Sequence, residues 1–206
     1  MRQGPRLATY EDLQSLPEHA RAEILRGAIV TVPSGSPRQS RVRGILSSLI
    51  GGPFDDDDGR SGPGGWWIFL GVTTRFTPHD IVWPDLSGWR RVRLPAPWDM
   101  APIDVRPDWI CEVLSPSNQA HDRVTKRHLY AEHGVPFYWL VDPAERTLEA
   151  PPRGRLGGRR DLRRNRDCSH PPIRSGRARG WKALPTPPPD QGTSNRRPAL
   201  AMLVTP

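Results

Sequence analysis

Cysteine is nearly missing from this chain: its 206 residues include two, Cys111 and Cys168. Two thiols build neither a disulfide framework nor a four-cysteine zinc site. Long apolar runs are missing as well. None approaches the ~18–20 residues that a membrane helix requires, and the N-terminal MRQGPRLATYEDL has no apolar signal core. A soluble cytoplasmic protein with no membrane partner is therefore expected. Neither G-x-G-x-x-G nor G-x-x-x-x-G-K-[ST] occurs, so nucleotide-driven chemistry has no support. No zinc finger or recognition helix is apparent, and base-specific readout cannot be inferred.

Basic charge is plentiful but confined. The chain carries 30 Lys+Arg against 22 Asp+Glu, a net charge of +8, yet residues 1–149 hold 17 basic and 19 acidic side chains. Residues 150–206 hold 13 basic and three acidic side chains, with 10 of the 25 prolines. Composition thus divides the chain into a domain, 1–149, and an Arg/Pro/Gly-rich tail, 150–206, which shows no helical or strand period and reads as disordered. One reading makes the tail an arginine-rich arm that neutralises phosphates. The other, which the composition favours, makes it out-of-frame sequence with no evolved role, because Arg, Pro, Gly, Ala and Ser are what GC-rich codons yield in the wrong frame.

Within the first segment, Thr9 caps a short helix that Pro17 stops. Glu18 to Leu25 fits either a helical turn or a strand, and AIVTVP after Gly27 fits a strand. Ser36-Pro37 opens a helix through Val42, Ile45, Leu46 and Leu49, expected to end at Gly51-Gly52. Asp55 to Asp58 lie in a loop that lacks the spacing of a calcium site. WWIFLGVTTRF and DIVWPDLSGW predict two strands joined by a turn at Thr77 to Asp80, and DWICEVLS predicts a third. Ser117 or Asn118 then caps a helix closing at Gly134, PFYWLVDP is a fourth strand and RTLEA begins a fifth. This order predicts an α/β fold, a mixed sheet of four to five strands flanked by helices. Trp66, Trp67, Trp83, Trp89, Trp109 and Trp139 alternate with aliphatics and are expected in the sheet core.

Carboxylates placed where burial should forbid them carry the chemistry. Glu112 sits inside the apolar run Trp109 to Leu114, so it must be paired, neutral or bound to a metal. Asp85 follows Val82-Trp83-Pro84, where a turn can aim it across the sheet. Lys126 lies four residues after Asp122, on the same face of the helix that follows the Glu112 strand. Two acids on adjacent strands and a lysine brought over them suit a hard divalent cation and phosphoryl chemistry. Asp108 is treated as the residue that leads into the strand. His121 and His128 are too far apart on their helix to chelate as an i,i+4 pair, and His133 suits a helix-dipole partner.

WPDLSGW, followed by PDWICEVLSPSNQAHDRVTKRHLYAEHGVPFYWLVDPAERTLE, resembles the Uma2 family, a branch of the PD-(D/E)XK restriction-endonuclease-like nucleases. The resemblance runs from about Thr9 to Glu149. It implies a mixed sheet flanked by helices and a magnesium- or manganese-dependent attack on a phosphodiester of nucleic acid, DNA foremost. By that resemblance Asp85 and Glu112 are metal ligands and the backbone carbonyl of Val113 is a third. Leu114 occupies the usual lysine position, and Lys126 matches a lysine displaced onto the next helix. Glu23 matches a supporting N-terminal acid, with Asp122 beside Lys126 as further support. Gln39 stands where relatives often carry a histidine. Alanine at position 85, 112 or 126 is expected to abolish cleavage and leave the fold intact. The alternative is a catalytically inactive or truncated nuclease-fold protein that only binds nucleic acid. Homodimer formation is left open.

Overall fold

A computed structural model describes residues 6–18, 20–56, 62–116 and 118–150. Ser117, Asp57, Asp58 and the tail with its Cys168 and His170 lie outside the described residues.

The elements follow the order α1 (Tyr10–Gln14), β1 (Ala22–Leu25), β2 (Ala28–Thr31), α2 (Pro37–Phe54), β3 (Trp66–Leu70), β4 (Thr74–Thr77), β5 (Asp80–Val82), β6 (Leu86–Arg90) and β7 (Trp109–Val113). A π-helical segment, His121–Lys126, then runs into α3 (Arg127–Glu132), followed by β8 (Phe137–Asp142) and β9 (Thr147–Glu149). Five strands form one sheet in the order β3-β6-β7-β8-β9, and four form a second in the order β2-β1-β5-β4. Only β7 and β8 pair in parallel within the first sheet, and the helix carrying Lys126 makes the crossover between them. The mixed, helix-flanked α/β sheet expected from the sequence is present. Glu18 to Leu25 resolves as strand β1.

Two strands expected to be continuous are broken, and each half joins a different sheet. WWIFLGVTTRF bends at Gly71, whose φ is +56°. DIVWPDLSGW bends at Trp83-Pro84-Asp85, where proline has no N–H to give the ladder. The two bends are tied together by the Gly71 N–H, which donates to the Asp85 carbonyl at 3.2 Å. A methyl group on Gly71 would lie 2.8 Å from the Trp83 indole nitrogen. Gly71→Ala is therefore expected to destabilise the protein by about 1–3 kcal/mol, combining a left-handed backbone with that clash; chemical denaturation would measure it.

Helix α2 also departs from expectation, passing Gly51-Gly52 to end at Phe54. Burial explains the extra turn, because Phe54 packs against the core that α2 shares with the five-stranded sheet. The cap is as expected: Ser36 Oγ accepts from Gln39 N, and the Gln39 side chain accepts from Ser36 N.

The period-two alternation of β7 decides what surrounds the candidate site. Trp109, Cys111 and Val113 face α2, packing with Val42, Leu46, Ile50 and Trp139. Ile110 and Leu114 face the opposite way, with Leu129, Tyr130, Tyr138 and Leu140. Glu112 shares that second face and lies beneath the helix that bears Lys126. Trp66, Trp89, Trp109 and Trp139 are core residues and Trp67 is partly buried. Trp83 is the exception: half-buried, with the Arg21 guanidinium 4.6 Å above its ring.

Candidate active site

The bend at Pro84 places Asp85 beside the end of β7, where the β6–β7 ladder stops at Leu86 opposite Cys111. Side chains continue the pairing. The Asp85 carboxylate accepts from Val113 N at 2.7 Å, and Asp85 N donates to Glu112 Oε2 at 3.2 Å. Proline breaks the strand and the aspartate after it re-forms the contact through its side chain.

Glu112 is 2% exposed, and its other oxygen, Oε1, accepts from the Tyr130 hydroxyl at 2.7 Å and from Lys126 Nζ at 3.2 Å. Lys126 also lies 2.9 Å from Glu23 Oε1 and 3.3 Å from Asp122 Oδ1. Glu23 reaches the cluster from β1, where it accepts from Trp83 N at 2.7 Å. Asp85, Glu112, Lys126, Glu23 and Asp122, with the Val113 main chain, thus converge on one buried region. Asp108 stands apart, capping Arg90 N at 3.0 Å and pairing with Arg93, which suits the role expected for it. His133 stacks on Phe76 and contacts Asp80 at 3.2 Å, a packing role.

The cluster is rich in acid. Four carboxylates, Asp85, Glu112, Glu23 and Asp122, face two cations, Lys126 and Arg43. Burial, followed by the Glu112 charge, pushes Asp122 up to about 8 and Asp85 up to about 6. Burial also raises Glu23, although Lys126 opposes it. For Lys126, burial alone would lower the pKa, but Glu112, Glu23 and Asp122 together hold the ammonium well above an ordinary lysine. Both Asp122 oxygens are buried without a hydrogen-bond donor, the contact to Lys126 being ionic only. An uncompensated buried acid must take up protons or a cation.

The donor set fits a hard divalent ion: two carboxylates, Asp85 and Glu112, and a main-chain carbonyl, all oxygen. Among the described residues no three His, Cys, Asp or Glu side chains form a metal cage. The Val113 carbonyl accepts from Gln39 Nε2 at 3.0 Å and retains a second lone pair.

Comparison with known proteins bears on the family and the fold. A family described as "Putative restriction endonuclease", Uma2, matches residues 7–165. The chain belongs to the Uma2 family. The match runs past Glu149, beyond the compositional boundary. A crystal structure of "a putative nuclease belonging to DUF820" from Anabaena variabilis ATCC 29413 superposes with a TM-score of 0.59 at 27% identity, covering 72% of this chain and 81% of that one. No curated protein matches the chain.

For this Uma2 domain the structure adds three residues to those read from the sequence. Gln39, noted there as the loss of a site histidine, is in the site and donates to the Val113 carbonyl. Arg43, one turn further along α2, donates to Asp85 Oδ1 at 3.0 Å. Tyr130, four residues after Lys126, holds Glu112. Helical spacing from Gln39 and from Lys126 signals these positions, but which strand each face meets is not written locally.

The raised acids make stability depend on pH. Asp85 and Asp122 bind protons more tightly in the folded chain than at the ordinary ~3.9 of unfolded aspartate. Their contribution is complete below that value and is lost as pH rises through about 6 for Asp85 and about 8 for Asp122. In EDTA the melting temperature should fall as pH is raised from about 5 to about 9, and Asp122→Asn should remove the upper part of that decline. Scanning calorimetry across pH measures both.

Proposed function

We propose that this protein is a divalent-metal-dependent endonuclease that hydrolyses phosphodiester bonds of nucleic acid, with DNA as substrate and Mg²⁺ or Mn²⁺ as cofactor. The observation that carries the reading is the convergence of Asp85, Glu112 and Lys126 at a proline-broken strand end within a Uma2 domain. Asp85, Glu112 and the Val113 carbonyl would hold the cation. When bound, it would polarise a phosphate oxygen and lower the pKa of a water.

The chain's own residues do the rest. Lys126 pairs with Glu112 and Glu23 and places positive charge beside the attacking side. Tyr130 fixes the Glu112 carboxylate. Gln39 orients the Val113 carbonyl, and Glu23 and Asp122 support Lys126. Residues 1–149 would form the catalytic domain and 150–206 a separate basic segment, in a cytoplasmic protein.

Plasmid and oligonucleotide cleavage by the whole chain, with Mg²⁺, with Mn²⁺ and in EDTA, tests the reading. Nicking or linearisation that requires the metal is expected. A chain that binds DNA and cleaves none under any metal would instead be an idle nucleic-acid-binding module.

A further inference from the structure

The cation that the sequence offers for phosphate chemistry is enclosed by acids and turned away from solvent. Three carboxylates lie within 2.9–3.3 Å of the Lys126 nitrogen, and the side chain is 5% exposed. Arg43 is its opposite. The side chain is 23% exposed, at the solvent side of the cluster beside Asp85, and among the described residues its one ion pair is with Asp85 Oδ1 at 3.0 Å. A guanidinium has five N–H donors in a planar fork. One edge is therefore held by an acid of the site, while the rest of the fork has no hydrogen bond among the described residues.

The backbone makes room for this placement. A methyl group on Gly35 would lie 2.3 Å from Arg43 Nη2, so the guanidinium occupies space that any side chain at position 35 would take. Helix α2 adds a second constraint. Gln39 and Arg43 lie four residues apart on one face, with Gln39 tied to the Val113 carbonyl and Arg43 to Asp85. The helix is thus pinned to two of the three candidate ligand positions, and it carries a permanently charged group to the exposed edge of the site.

We propose that Arg43 is the residue that binds the substrate's scissile phosphate, its free N–H groups donating to a non-bridging oxygen while Asp85 holds the other edge. The proposal rests on the nuclease reading and deepens it by naming the group that recognises the phosphate. A planar fork can hold a carboxylate on one edge and present a second edge to a phosphate, whereas a lysine ammonium offers no bidentate edge.

The test uses the full chain and a short fluorescently labelled duplex DNA in EDTA, with anisotropy followed across a salt series. Arg43→Ala should weaken binding and reduce the slope of log K against log salt by about 0.9, the share of one phosphate contact. Arg43→Lys, which keeps the charge and the pair with Asp85, should restore that slope, yet its single-turnover cleavage rate with Mg²⁺ should remain at least about tenfold below the parent because the fork is lost. Unchanged slope and affinity in Arg43→Ala, with a parent chain that cleaves DNA, would overturn the role of Arg43 and leave the nuclease reading standing. Cleavage by Arg43→Lys at the parent rate would overturn that role as well. A parent chain that neither binds nor cleaves would overturn both.

Discussion

Lys126→Ala is expected to abolish cleavage and to destabilise the domain by about 3–5 kcal/mol, because it leaves buried carboxylates without their counter-ion. For a chain of this size that corresponds to a melting temperature roughly 10 °C lower. The sequence alone suggested an intact fold in this variant; a side chain 5% exposed between Glu23, Glu112 and Asp122 adds a structural cost. The cost should shrink towards pH 5, where Asp122 and Asp85 are protonated, and grow towards pH 8. Combining Lys126→Met with Glu23→Gln and Asp122→Asn removes two of the three stranded acids and leaves Glu112 with the Tyr130 hydroxyl and the Asp85 N–H, so much of the stability should return. Cleavage should not. Thermal denaturation and plasmid cleavage on the same preparations separate the two roles of the lysine.

Glu112→Gln and Asp85→Asn should each lower cleavage by about 10³-fold or more, the scale of losing a group that holds charge at the reacting centre. Their effects on folding differ from that of Lys126→Ala. In Glu112→Gln an amide oxygen can still accept from Tyr130 and Lys126, and in Asp85→Asn one can still accept from Val113 N. Each substitution also removes one charge from an acid-rich cluster. Both variants should therefore fold in EDTA. Their response to metal should disappear: the parent chain gains about 2.7 kcal/mol at a free Mg²⁺ concentration of 100 times Kd, while the variants gain little. Thermal shift with and without Mg²⁺ checks this without relying on activity.

Much of the site was legible because its signals are local. Glu112 is conspicuous inside Trp109 to Leu114, since no other charge interrupts that run, and period two alone assigns it to the face opposite Trp109. Asp85 is marked by the proline before it. Asp122 and Lys126 are joined by helical spacing, although the turn carrying them is π-helical. The fold class followed from the order of strands and helices.

What escaped is non-local. Composition cannot show that Gly71 and Pro84 fold one predicted hairpin between two sheets, because each half reads as good strand and the break depends on how the halves pack. Gln39 and Arg43 meet residues 74 and 42 positions away. Their helix pattern says which faces are polar; only the docking of α2 on β7 and the bend says what that polar face touches. Phe54 carries α2 past two glycines for the same reason, since tertiary burial outweighs a local stop signal.

Asp85 and Glu112 are proposed as the centre of a metal-dependent phosphodiester-cleaving site. Supercoiled plasmid cleavage by the full chain and by Asp85→Asn, titrated with Mg²⁺ against an EDTA control, tests it most directly. Cleavage by the parent should rise with Mg²⁺ and vanish in EDTA, with none by Asp85→Asn at any metal concentration. Equal cleavage by both proteins, or cleavage that persists in EDTA, would contradict it.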